Sequence, residues 1–157
     1  MIIRHPHPDE AGAIRALFED EVKAGRMLPR SEASIVDQLD NWLVADNNGV
    51  VIGCVSLVIF NETLCEVRSL AVDPAWRGRG IASQLVESAL ALAGTRGMRR
   101  VLTLTRAAPV FEGIGFQRDF VANFPEKVWR DCAPCPFRHR CDEVALIYEL
   151  APVMECV

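Results

Sequence analysis

Residues 77–82, Arg77-Gly78-Arg79-Gly80-Ile81-Ala82, put two arginines and two glycines directly ahead of a long stretch with helical apolar spacing. Gly78 and Gly80 admit positive φ, which lets successive backbone N–H groups approach a ligand closely. The start of the following helix adds N–H groups without intrahelical partners and a partial positive charge. Arg77 and Arg79 add full charges to the same loop, and together these features suit a pyrophosphate. A tight strand-to-helix connection with solvated arginines is the other reading of the same residues. No Gly-Lys-Ser/Thr follows, which excludes a Walker loop, and a third glycine and a following acidic residue, needed for a dinucleotide fingerprint, are missing.

A second group with chemical potential is Cys132-x2-Cys135-x5-Cys141. Tetrahedral zinc needs four ligands, so these three thiols would need a fourth, for which His139 stands nearby. Reduced thiols packed in a loop are the alternative. Cys54 and Cys65 fall in apolar strand-like runs and read as small buried hydrophobes.

The elements that must position these groups follow from spacing. Ile2 and Ile3 suit a short strand ended by Pro6-His7-Pro8. Asp9 caps a helix carrying Ile14, Leu17, Phe18 and Val22, closed by Gly25. Ser31 or Ser34 caps a second helix through Ile35, Leu39 and Trp42. Strands are expected from Trp42 to Ala45, Val50 to Phe60 and Leu64 to Val72, joined at Asn48-Gly49 and Asn61-Glu62-Thr63 as an antiparallel meander. Ile81, Leu85, Val86, Ala89, Leu90 and Leu92 form one broad helical face, closed by Gly94 and Gly97. Val101 to Thr105 is a buried strand, parallel to Leu64–Val72 because a helix connects them. A brief helix from Ala107 to Ile114 stops at Gly115. Late strands follow at Phe116 to Phe120 and Val144 to Leu150, with an irregular Cys-rich segment between them. The expected architecture is one α/β domain over residues 1–157, with a mixed, mostly antiparallel sheet flanked by helices.

The bulk properties bound the function. A chain of 157 residues, 50% hydrophobic and 24% charged, fits a soluble globular protein of one domain. Its net charge of −4 argues against a nucleic-acid partner. No apolar run approaches the roughly 20 residues that span a bilayer, and the N-terminus lacks a signal-peptide pattern. A cytoplasmic location is expected, with the cysteines held as thiols.

Ser69-Leu70-Ala71-Val72-Asp73-Pro74-Ala75-Trp76-Arg77-Gly78-Arg79-Gly80-Ile81-Ala82 resembles the acetyl-CoA motif of the GCN5-related N-acetyltransferase (GNAT) superfamily. The pattern Arg/Gln-x-x-Gly-x-Gly/Ala is met at Arg77, Gly80 and Ala82, and the later Gly-Phe landmark at Gly115-Phe116. Leu28-Pro29-Arg30-Ser31, Gly53-Cys54, Glu66 to Val72 and Phe124 to Trp129 further resemble the acetyltransferase part of N-acetylglutamate synthases, especially the short stand-alone forms. Asp131-Cys132, Cys135-Pro136 and Cys141-Asp142-Glu143 fit that group too. The resemblance implies acetyl transfer from acetyl-CoA to the α-amino group of glutamate, the entry step of arginine synthesis. Longer members carry an amino-acid-kinase-like domain, and arginine inhibition through it is not carried over.

The resemblance implies roles as well. Leu70, Ala71 and Val72 with the Arg77–Ala82 loop would hold acetyl-CoA, and N–H groups near Leu70 and Val72 would polarise the thioester carbonyl. Glutamate brings two carboxylates, so cations should line its pocket: Arg30 first, then Lys127 and Arg68. Glu66 would take the amine's proton through water. For Glu66 the alternative is an edge-strand carboxylate paired with Arg68. For the three cations the alternative is solvated surface charge. Many members place Tyr where Phe111 stands, and Phe111 cannot protonate the leaving thiolate. Another amine acceptor, or an acyl-CoA sensor without turnover, stays open beside glutamate. A homodimer through the late strands is admitted by analogy.

Overall fold

The computed structural model describes residues 1–136 and 141–151. As expected from the sequence, the fold is α/β with a mixed, mostly antiparallel sheet. Contacts group the chain into two compact units: Met1–Leu57 with Arg68–Ala89, and Val58–Val67 with the residues from Leu90 onward.

In the first unit, β1 (Ile2–Arg4) pairs antiparallel with β2 (Trp42–Asn47), which pairs antiparallel with β3 (Val50–Ile59). Arg4 donates to both Glu10 oxygens, at 2.8 and 2.9 Å, and to Asp46 at 3.1 Å, which joins β1 to the following turn and to β2. The expected first helix is divided into α1 (Ala11–Leu17) and α2 (Glu19–Lys23). At the joint, the Phe18 N–H reaches back only to Arg15, tightening the turn as the Phe18 ring enters the core beside Trp42. The second helix is α3 (Glu32–Val36), capped by Ser31, whose Oγ accepts from the Ser34 N–H. It stops six residues before Trp42, the end expected from the spacing. Trp42 is wholly buried in β2, so sheet packing outweighs helical periodicity there.

The expected turn at Asn48-Gly49 joins β2 to β3, with both residues at positive φ. β4 (Leu64–Val72) then runs beside β3 in the sheet and carries the chain from the second unit back into the first. It leads into α4 (Ile81–Thr95). Ile81, Leu85, Val86 and Ala89 of α4 are buried. Gly53 in β3 makes that packing possible: a Cβ there would sit 3.0 Å from Leu85 Cδ1 and 3.2 Å from the Ala71 carbonyl. Leu92, expected on the buried face, is only half-buried. Ala93, four residues after Ala89, takes the buried position, as 100° per residue requires.

In the second unit, β4 pairs parallel with β5 (Arg100–Thr105) over Leu64–Glu66. After α5 (Ala108–Ile114) and β6 (Gln117–Asp119), the segment expected to be irregular begins helical over residues 121–132, with α6 (Pro125–Lys127) continuing as a wider π-type turn through Cys132. β7 (Val144–Glu149) lies between β5 and β6, antiparallel to both. Leu64, Leu102, Phe124 and Ala145 form the core, with Phe60, Leu104, Val121 and Ile147 against it. Strand order is β1-β2-β3-β4-β5-β7-β6.

Candidate active site

The loop between β4 and α4 is built by local hydrogen bonds. Asp73 Oδ1 accepts from the Ala75 N–H at 2.9 Å, capping a short 3-10 turn over Pro74–Trp76. Arg77 Nε donates to the Val72 carbonyl at 3.2 Å, drawing the loop back on the end of β4. Gly78 and Gly80 stand at φ +78° and +77°, a conformation open to glycine at little cost. A Cβ at either position would meet nothing within 4 Å, so backbone conformation, not crowding, demands glycine. The first helical bond of α4 runs from Gln84 to the Gly80 carbonyl, at 3.1 Å. Helix geometry therefore leaves the N–H groups of Ile81 and Ala82 without intrahelical partners. The Arg79 guanidinium lies 4.6 Å from the Trp76 ring centroid, and both arginines are exposed. The residues present fit a pyrophosphate at this helix start.

Upstream, β4 is distorted. Ser69 sits at φ +58°, which costs a residue with a Cβ about 1–2 kcal/mol. Two β3 side chains hold that distortion: Ser56 Oγ donates to the Arg68 carbonyl at 3.1 Å, and Cys54 Sγ donates to the Ser69 carbonyl at 3.5 Å. Burial pushes the Cys54 thiol far up, against smaller opposing effects of the Ala71 backbone and the Arg30 charge. Arg30, half-buried in the connection before α3, lies 5.3 Å from the Trp42 ring centroid. Leu70 and Ala71 are half-buried, Val72 is buried, and Arg68 is half-buried.

In the second unit, Glu66 is 2% exposed and Lys127 7%. Lys127 Nζ lies 2.9 Å from Glu66 Oε1, 2.8 Å from Oε2 and 3.3 Å from Asp131 Oδ2. The edge-strand position considered for Glu66 and the solvated charge considered for Lys127 are both overturned. β4 lies between β3 and β5, so Glu66 is not on an edge strand, and Lys127 is not a solvated charge. Just past the β4–β5 ladder, Thr103 Oγ1 donates to the Val67 carbonyl at 3.1 Å. Burial pushes the Cys132 thiol up although the Lys127 charge opposes it. Burial also raises the Glu143 carboxyl, against Arg106 and Lys127.

A model of the acetyltransferase (GNAT) family matches residues 11–116. The chain belongs to that family. An uncharacterized N-acetyltransferase of Chlorobaculum tepidum is 37% identical over 148 residues, covering 94% of this chain and 96% of the relative. The amino-acid acetyltransferase of Mycobacterium tuberculosis is 29% identical over 73% of this chain and 67% of its own length. The fold matches N-acetylglutamate synthase from Neisseria gonorrhoeae, crystallised with coenzyme A and N-acetyl-glutamate. That match has a TM-score of 0.82 at 23% identity, over 96% of this chain and 35% of that one. This GNAT chain is an acetyl-CoA-dependent N-acetyltransferase.

Other sequence-predicted groups of this GNAT domain are placed differently. Phe111 is buried edge-on to Phe116, ring centroids 5.2 Å apart, and Phe116 contacts Tyr148 at the same distance. The hydroxyl-free ring therefore belongs to an aromatic stack. Among the described residues no three His, Cys, Asp or Glu side chains gather as a metal group, so Cys132, Cys135 and Cys141 are not brought together as ligands. His139 lies outside the described residues. No described helix is long and apolar enough to cross a membrane. Sequence reasoning missed Asp131 and the Cys54 and Ser56 clamps. The Lys127/Asp131 spacing of four was a usable signal for the first, and a serine within the apolar run Cys54-Val55-Ser56-Leu57 for the last.

Proposed function

We propose that this enzyme acetylates the α-amino group of glutamate, as an N-acetylglutamate synthase. The observation carrying this reading is the placement of Arg30. Its guanidinium is held on Trp42 of β2, which stands opposite Ser56 of β3, the hydroxyl that holds β4 at the Arg68 carbonyl. A fork-shaped cation next to that strand suits a carboxylate, and Arg68 on the same strand suits the second carboxylate of a dicarboxylic acceptor.

In this reading the Arg77–Ala82 loop holds the pyrophosphate, and Leu70 and Val72 N–H groups polarise the thioester carbonyl. Glu66 takes a proton from the acceptor's ammonium through water, and the neutral amine then attacks that carbonyl carbon, forming the C–N bond. The tetrahedral intermediate collapses by breaking the C–S bond, and the proton left on nitrogen departs with the thiolate, which is released as the CoA thiol. The resemblance to amino-acid acetyltransferases supports the acceptor class. Phe111, buried and with no hydroxyl to offer, leaves the CoA thiolate to depart without a proton from that position.

The test is thiol release from acetyl-CoA with each amino acid in turn. Turnover with glutamate that collapses in Arg30→Ala supports the synthase. Turnover with a different amine removes glutamate and keeps the acetyltransferase.

A further inference from the structure

Lys127 was a candidate anchor for the acceptor's carboxylates, but its surroundings point elsewhere. Its ammonium straddles both oxygens of Glu66, at 2.9 and 2.8 Å, and touches Asp131 at 3.3 Å. Asp131 comes from the next turn of the same helical segment, four residues on. An ammonium already shared by two carboxylates, and 7% exposed, is a poor seat for a third. Contact with both Glu66 oxygens also does something that simple neutralisation would not. It fixes the plane of the carboxylate and holds the side chain in one rotamer. A carboxylate has about four lone-pair sites, so two bonds from one ammonium do not exhaust its capacity to accept a proton.

We propose that Lys127 is a positioning residue for Glu66, braced by Asp131, and that it does not bind the acceptor. This rests on the reading of Glu66 as the proton acceptor. Removing the ammonium would take away the contact that spans both carboxylate oxygens and fixes their plane, so proton transfer would suffer while acceptor affinity would not. Once Glu66 is neutral, Lys127 has nothing left to orient, and its loss should cost no further turnover.

The experiment is a double-mutant cycle on steady-state kinetics, with Glu66→Gln, Lys127→Met, the double variant and Lys127→Arg. The acceptor used is whichever amine the wild type acetylates. General bases contribute about 10²–10⁴-fold, so Glu66→Gln and Lys127→Met are each expected to lower kcat by about 10²-fold or more. The acceptor KM should stay within about threefold, and the double variant should match Glu66→Gln. Lys127→Arg should recover most of the lost turnover. A rise of about tenfold or more in acceptor KM for Lys127→Met, or an unchanged kcat, overturns the proposal. So does a double variant about tenfold slower than Glu66→Gln, the pattern a merely structural role would give. If Lys127→Met does not fold, the double variant, which leaves no buried charge unpaired by the substitution, and Lys127→Arg decide by the same criteria. Wild-type turnover of an amine other than glutamate sinks the acceptor reading and leaves this proposal standing. Wild-type turnover of no amine overturns both.

Discussion

Arg30 presents its guanidinium from a short connection, steadied by the Trp42 ring, and a planar fork grips a carboxylate through two parallel bonds. Hydrogen bonds to charged groups contribute about 1.5–3 kcal/mol, so Arg30→Ala should raise the glutamate KM roughly 10- to 150-fold in initial-rate measurements. Arg30→Lys should recover little, because an ammonium supplies the charge without the fork. The cysteines give a second test at this scale. Burial pushes the Cys65 thiol up to about 12, and Cys54 is wholly buried, so neither offers thiolate at neutral pH. Cys141 is exposed. Timed alkylation of the native protein at pH 8, read by mass spectrometry, should modify Cys141 first and leave Cys54 and Cys65 unmodified until denaturant is added.

Two kinds of glycine govern the loop and helix proposed to hold acetyl-CoA, and they should respond differently to alanine. Gly78 and Gly80 have room for a Cβ but stand at positive φ. Alanine there costs about 1–2 kcal/mol of local strain, so the expected result is folded protein with acetyl-CoA affinity lowered up to about tenfold. Gly53 has an ordinary backbone but no room: its Cβ would press Leu85 and the Ala71 carbonyl. Gly53→Ala should therefore shift α4 against the strands and lower Tm by several degrees, with an overpacking cost of about 1–3 kcal/mol. Thermal unfolding and acetyl-CoA titration of the three variants separate the two mechanisms. The same contrast explains what the sequence made legible. The glycine-arginine loop is local, so six neighbouring residues announced both the turn and the helix start. The Glu66–Lys127 pair joins residues 61 positions apart, and no local pattern tells which cation will meet which carboxylate. Trp42 was misplaced at a helix end because its spacing from Ile35 and Leu39 suits a helix. Its place opposite Ser56 in the ladder decides for the strand.

For the molecule as a whole, acid stability offers a test whose sign follows from one carboxylate. The chain carries 21 acidic and 17 Lys and Arg side chains. Acidification therefore turns a net negative protein positive and weakens it through general repulsion. Glu10 contributes separately. Its hydrogen bonds and ion pair with Arg4, with help from the His7 N–H, hold its carboxyl at about 2 against an ordinary 4.5. A carboxyl depressed in the folded state stabilises it fully above the unfolded value. That stabilisation is lost as pH falls from about 4.5 toward 2, where Glu10 becomes protonated folded as well as unfolded. Glu10→Gln lacks this ionisation but feels the same general repulsion, so subtracting one protein from the other isolates the Arg4–Glu10 pair. Urea unfolding followed between pH 7 and pH 2 should show the wild type more stable than Glu10→Gln by a constant margin above pH 5. The margin should then narrow steadily and vanish near pH 2. A margin independent of pH would mean that Glu10 acts through packing and that its charge on Arg4 contributes nothing to stability.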